Sequence, residues 1–234
     1  MSAKFSKILK ELRTHRNEKN LAGMARFGIA TDKAFGIKHP ILKDIAKQYR
    51  KDHALALELW ESGYHEARLL ATIIDDPKQV TKKQAEAWVK QINSWDICDG
   101  LTGGLIDKTP FAYEKALEWS KREPEFERRA GFALMAWLPV HDKKAADSKF
   151  NNFFPLIIQY STDERNFVKK AVIWALRQLG KRNAALNRKA IAAARQIAKI
   201  DSKSARWIAK DALKELEGKQ VQARLREKAE RAHK

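Results

Sequence analysis

The stretch HEARLLATII, His65 to Ile74, opens on polar residues and closes on a nearly unbroken apolar run. Within it, Arg68-Leu69-Leu70-Ala71-Thr72-Ile73-Ile74 carries apolar residues at helical spacing. The same grammar returns in FERRAGFALM (126–135), FVKKAVIWAL (167–176) and SARWIAKDAL (204–213). Each has a polar or basic opening, an apolar helix after it and another predicted helix before it. Elsewhere the pairs Leu55/Leu59 and Ala56/Trp60, and the run Phe132-Leu134-Met135-Trp137-Leu138, are again helical in period. Leu55, Leu57 and Leu59 also alternate, but the alanines and Glu58 around them favour helix. Pro40, Pro77, Pro110, Pro124, Pro139 and Pro155 are expected at helix starts or between helices.

The spacing of these segments is irregular, about 30 to 40 residues with an unmatched unit near Ser94, which is the range of helix-pair solenoids such as HEAT repeats. The expectation is an all-α protein: a curved solenoid of HEAT-like antiparallel helix pairs, with a basic concave face suited to a rod-shaped polyanion. A single domain is expected over 1–217. The remainder, 218–234, is a basic C-terminal tail expected to be a frayed or solvated helix outside the core.

The charge is the strongest clue to partners. Among 234 residues, 47 Lys and Arg stand against 29 Asp and Glu, a formal net charge of +18. Such an excess points to nucleic acid, an anionic membrane surface or an acidic protein. The apolar fraction of 44% supports a folded core rather than disorder. Cys98 is the only cysteine, so intramolecular disulfides and thiolate metal clusters are excluded. The opening MSAKFSKILKELRTH lacks a continuous apolar segment and reads as an amphipathic helix rather than a signal peptide. The expected location is the cytoplasm, associated with the nucleoid when DNA is bound.

Two constellations could carry chemistry. In NSWDICDGLTGG (93–104), Trp95 and Asp99 are four apart and fall on one helix face, while Asp96 lies about a quarter turn away and is expected to bond locally or cap. In NFVKKAVIWALRQLGKRN (166–183), Lys170, Trp174, Arg177 and Lys181 form one stripe of cations around an indole, expected to face a polar partner. Arg128 and Arg129 open a third helix at the position matching Lys169 and Lys170. Each has a plainer reading: a core tryptophan, a salt-bridged aspartate, an inter-repeat arginine clamp, a solvated lysine face. Other chemistries find no foothold. The histidines (His15, His39, His53, His65, His141, His233) are scattered without metal-ligand spacing. Gly103-Gly104 fits no phosphate-binding loop, and there is no GxSxG. No metal and no cofactor are expected.

With these residues in view, the sequence resembles the AlkD-type DNA alkylation repair glycosylases, a family built from HEAT-like helical repeats, from about Lys19 to Asn183. MARF near Met24 followed by FGIKHP at Phe35 looks like the family's N-terminal pattern, with Phe27 at an aromatic position where tyrosine is common. SWDICD resembles its Ser/Trp-Trp-Asp-x-x-Asp segment, which makes Trp95 and Asp99 counterparts of the catalytic-site tryptophan and aspartate. FERRAGFAL places Arg129 at the active-site arginine; FVKKAVIWALRQLGK places Trp174 at the second site tryptophan and Arg177 at a DNA-contacting position. The resemblance implies a monomeric, metal-free base-excision glycosylase that removes N3- and N7-alkylated purines, such as 3-methyladenine and 7-methylguanine, from double-stranded DNA. Asp99, Trp95 and Trp174 would be catalytic; Arg129, Arg177, Lys170, Lys181 and Phe27 would hold DNA. Two rivals stand beside it: a non-catalytic paralogue binding damaged or branched DNA, and a scaffold for an acidic protein.

Overall fold

Alanine-rich amphipathic segments with polar caps can bury their apolar stripe only against one another, and the computed structural model is accordingly helical throughout, with no strand among the described residues, 1–232. The chain divides into two compact units, residues 1–111 and 112–234. His233 and Lys234 lie outside the described residues.

The first unit contains α1 (Ala3–Thr14), α2 (Glu18–Arg26), α3 (His39–Ala46), α4 (His53–Glu61), α5 (His65–Ile74), α6 (Lys82–Lys90) and α7 (Trp95–Gly104). Side-chain oxygens of Ser2, Asn17, Asp52 and Thr81 accept from the first free backbone N–H groups of α1, α2, α4 and α6. The core is aromatic between α4 and α6. Trp60 stacks on Trp88 at 4.2 Å, nearly parallel, and its indole N–H donates to Gln91 Oε1 at 2.8 Å. Such a pair contributes about 0.5–1.5 kcal/mol beyond the area it removes from water.

The second unit contains α8 (Ala112–Trp119), α9 (Glu125–His141), α10 (Phe153–Gln159), α11 (Asn166–Gly180), α12 (Ala184–Ile197), α13 (Lys203–Leu216) and α14 (Lys219–Ala232). The four repeated segments are α5, α9, α11 and α13, and the unmatched unit near Ser94 is α7. Within this unit the register of the repeated helices is parallel. The N-terminal turn of α9 meets that of α11 through Phe126 and Phe167 at 5.4 Å, and their later turns meet through Trp137 and Trp174 at 4.9 Å. α11 and α13 run alongside in the same sense, from Lys169 beside Trp207 to Lys181 beside Glu215. α8 and α12 precede α9 and α13 and pack against them, giving the helix pairs.

Two expectations need correction. Pro139 lies inside the last turn of α9 rather than between helices. Its missing N–H leaves the i−4 carbonyl without a helical donor, a cost one turn from the helix end can absorb. The segment after Gly218 is helical, yet it is docked rather than solvated: Val221 and Leu225, its two large apolar residues, are buried. Gln222 Nε2 donates to Leu216 O at 2.6 Å and Asn187 Oδ1 at 3.1 Å. Lys228 Nζ caps the end of α11, donating to Lys181 O at 3.1 Å.

No helix among the described residues is long and apolar enough to cross a membrane.

Candidate nucleic-acid interface

In the first unit, the face of α7 is set by what its first turn does. Asp96 Oδ1 accepts from Ser94 Oγ at 2.7 Å and from the Ile97 N–H at 2.9 Å, and Oδ2 faces His65 Nε2 at 2.8 Å. Burial pushes the Asp96 carboxyl up, but the bonds from His65, Ser94 and Ile97 outweigh it and leave it below the usual range. Asp96 therefore bonds locally, as its position suggested, and ties α7 to α5. Gly100 and Gly104 continue that face at i+4 and i+8. A Cβ on Gly100 would lie 3.2 Å from Leu69 Cδ2 and Thr72 Oγ1, and one on Gly104 3.3 Å from the Thr72 carbonyl, so the glycines allow the two helices their close approach.

Trp95 and Asp99 stand roughly 60–100° round the helix from that packed face, and both are half-buried. The indole N–H of Trp95 donates to the Phe27 carbonyl at 3.1 Å. Phe27 closes α2, and the reason it projects is local. Gly28 takes φ +73°, its N–H bonds Ala25 O at 3.0 Å, and the Ile29 N–H bonds Met24 O at 3.2 Å. This is the paired hydrogen-bond signature of a left-handed glycine C-cap. The buried Ile29 anchors the turn and leaves the Phe27 side chain 71% exposed.

The FGIKHP loop steadies α2. Gly36 has φ +75°, and a Cβ there would come within 2.4 Å of the Asn17 carbonyl. Glu66, fully buried on α5, accepts from the N–H groups of Phe35, Gly36 and Ile37 at 2.9, 2.7 and 3.1 Å. The loop in turn holds α2 through the Asn17 N–H on Phe35 O and Asn20 Nδ2 on Gly36 O, at 2.7 and 2.8 Å.

In the second unit, Arg128 and Arg129 are both buried at the start of α9. Arg128 spans Asp163 and Glu123 at 2.8 Å each and lies over the Tyr160 ring, which makes it structural. Burial raises the Asp163 carboxyl, but Arg165 and Arg128 together hold it below the ordinary range. Arg129 Nη1 donates to the Phe167 carbonyl at 2.8 Å, so it does join α9 to α11, the clamp left open as its plainer reading. Trp174 is half-buried, edge-on to Trp137.

The stripe on α11 divides. Lys170 is exposed at its N-terminal end. Arg177 pairs with Asp211 at 3.0 Å and with Glu215, and Lys181 pairs with Glu215 at 2.8 Å. The polar neighbour of its last two cations is thus α13. Lys181 and Arg182 also line a groove of about 820 Å³ floored by Val221 and Leu225 of α14. Sequence reasoning missed Trp207, Glu66 and the acids of α13. An indole on the charged face of α13 was visible as text, but its exposure was not.

The geometry can now be set beside known proteins. No curated protein matches the chain. A solved structure described as "a new family of proteins related to the HEAT-like repeat DNA glycosylases with affinity for branched DNA structures" superposes with a TM-score of 0.78, covering 94% of this chain and 95% of its own at 22% identity, and it shares the fold. A family model described as DNA alkylation repair enzyme matches residues 8–216, nearly the whole chain, and the protein belongs to that family.

Proposed function

We propose that the protein is a DNA glycosylase that releases N3- and N7-alkylated purines from duplex DNA. The observation that carries this reading is the pair Trp95 and Asp99 on successive turns of α7, with Trp95 bonded to the backbone carbonyl of the exposed Phe27, in a chain of the DNA alkylation repair family. A purine alkylated at a ring nitrogen is a cation. When its N-glycosidic bond breaks, the bonding electrons neutralise the base, which leaves without a general acid, and positive charge moves to the deoxyribose. A carboxylate pair, as most glycoside hydrolases use, is then unnecessary. Asp99 alone stabilises the developing cation and orients the water that adds to C1′.

Trp95 presents an indole face to the sugar, where cation–π attraction contributes about 0.5–2 kcal/mol. Lys170 holds the strand through its phosphates, with Phe27 against it, and Arg177 and Lys181 join by exchanging their α13 acids for phosphate. Arg129, buried on the Phe167 carbonyl, acts by holding α11 in place, so that affinity and register are set without reading bases. The test is release of 7-methylguanine from methylated duplex by Asp99→Asn. Release should fall by at least about 100-fold while duplex affinity stays equal or rises slightly, because a carboxylate is lost near phosphates. Undiminished release would remove Asp99 from the chemistry.

A second reading, a non-catalytic binder of branched DNA, draws on the affinity described for the structural neighbour and on the buried placement of Arg129. The same assay separates the two, since such a protein releases no base in its wild-type form.

A further inference from the structure

Of the seven tryptophans, Trp207 alone is exposed, with 43% of its surface open on α13. Trp60, Trp88 and Trp119 are core, and Trp95, Trp137 and Trp174 are half-buried. A single exposed apolar side chain needs no explanation. What surrounds this one does. Lys203 and Lys210, at i−4 and i+3, flank the indole along its own helix, and both are exposed. From α11, the Lys169 ammonium lies 5.7 Å from the ring centre.

The acids nearby are already occupied. Asp211 holds Arg177 at 3.0 Å, and Asp201 holds Arg206 at 2.7 Å. Glu164 accepts from Ser202 Oγ and the Ser204 N–H, at 3.2 and 3.1 Å, at the start of α13. The result is an aromatic face on a partly open side chain, with the Lys169 ammonium over the ring and Lys203 and Lys210 on either side along the helix. Helix α13 also cannot shift away easily, because Ser204 Oγ donates to Asp163 O at 2.9 Å and Ala205, Ile208, Ala209 and Ala212 are buried beneath it.

We propose that this face is a stacking platform for an unpaired base of a DNA strand, with the phosphates flanking that base held by Lys169, Lys203 and Lys210. An acidic peptide would match the cations but gives the indole nothing planar to stack on. A nucleotide satisfies both features, since every base has a π-face and each carries a phosphate one sugar away. The platform suits a strand end, a gap or the unpaired arm of a junction. It rests on the reading that the partner is DNA and is independent of whether Asp99 cleaves a glycosidic bond.

The experiment compares two single strands of equal length and charge, a short oligothymidylate and a fully abasic strand, binding to the full chain by anisotropy. Trp207→Ala should weaken oligothymidylate binding about tenfold and leave abasic-strand binding within about twofold, while Trp207→Phe keeps most of the affinity. Trp207→Leu, which preserves apolar packing without a π-face, should behave as the alanine variant and serves if the latter folds poorly. An equal loss on both strands, or no loss on oligothymidylate, overturns the platform. Wild-type protein that binds neither strand overturns it as well, whereas the fate of Asp99→Asn in base release bears on the glycosylase reading alone.

Discussion

Replacing Glu66 by Gln should show how far the position of Phe27 depends on one buried carboxylate. Glu66 is fully buried and accepts three backbone N–H groups, from Phe35, Gly36 and Ile37. Hydrogen bonds to a charged group contribute about 1.5–3 kcal/mol each, against about 0.5–1.5 for neutral ones. In the Glu66→Gln variant, the side-chain amide oxygen can keep the Gly36 and Ile37 donors as neutral bonds, a loss of roughly 2 kcal/mol. The amide nitrogen would face the Phe35 N–H, donor against donor, adding a buried unsatisfied group at about 1–3 kcal/mol. Burying an amide costs less than burying a carboxylate, which offsets part of the total. We expect a net loss of about 3 kcal/mol, or a melting temperature lower by about 6–12 °C for a chain of this size. Urea unfolding followed by circular dichroism measures the first quantity. Amide exchange at residues 35–37 locates it, since those loop N–H groups should lose protection before the amides of α5. Because the loop also holds Asn17 and Asn20 of α2, exchange at the Gly28 and Ile29 amides should rise in step. An unchanged urea midpoint with slow exchange at 35–37 would refute the argument that this carboxylate organises the loop.

Gly131→Ala should destabilise by more than about 3 kcal/mol, because the added Cβ would sit 2.1 Å from the Ser120 backbone nitrogen, and backbone cannot swing aside as a side chain can; a melt close to wild type would contradict the packing of α8 on α9. Asp96→Asn weakens the bonds to His65 and Ser94 and should cost about 2 kcal/mol at neutral pH. Since the folded Asp96 carboxyl lies below its ordinary value, the wild-type advantage should be full above the unfolded pKa of about 3.9 and shrink as pH falls below it; an advantage that grew on acidification would reverse the assigned sign. Leu225→Ala should cost about 2 kcal/mol, the low end for a buried leucine because α14 is a peripheral helix. Limited proteolysis should then cut within 219–232 first, and an unaltered cleavage pattern would mean that α14 is not held by this contact.

The helical class and the repeat were legible because apolar periodicity is a local property. HEARLLATII and FVKKAVIWAL declare their buried stripe whatever they pack against, and α5 and α11 fall on those segments. The local duty of Asp96 could likewise be anticipated from its place in a first turn. What stayed hidden was long-range. FGIKHP gave no sign that a glutamate on α5 would bind its three amides. KQVQARLREKAERA looked solvated because its large apolar residues are few, but the two that exist are four apart and form one small stripe, sufficient to dock a helix. The stripe Lys170–Trp174–Arg177–Lys181 was correctly spaced on its helix, while the acids opposite its end belong to the later helix α13. Trp207 escaped notice for the opposite reason: a tryptophan amid alanines in a repeat helix is usually core, and here it faces out.

The carboxylates of α13 change how the chain's large positive charge should be counted. A phosphate arriving at Arg177 or Lys181 would meet a cation that already has an internal anion, Asp211 or Glu215. It would displace a protein group rather than liberate condensed salt ions, so those two positions add little to the ionic-strength dependence of association. The steepness of that dependence is set by solvent-facing lysines such as Lys170, Lys203 and Lys210. Two proteins of this family with the same formal charge can therefore differ widely in salt tolerance, according to how many of their basic side chains are internally neutralised before DNA arrives.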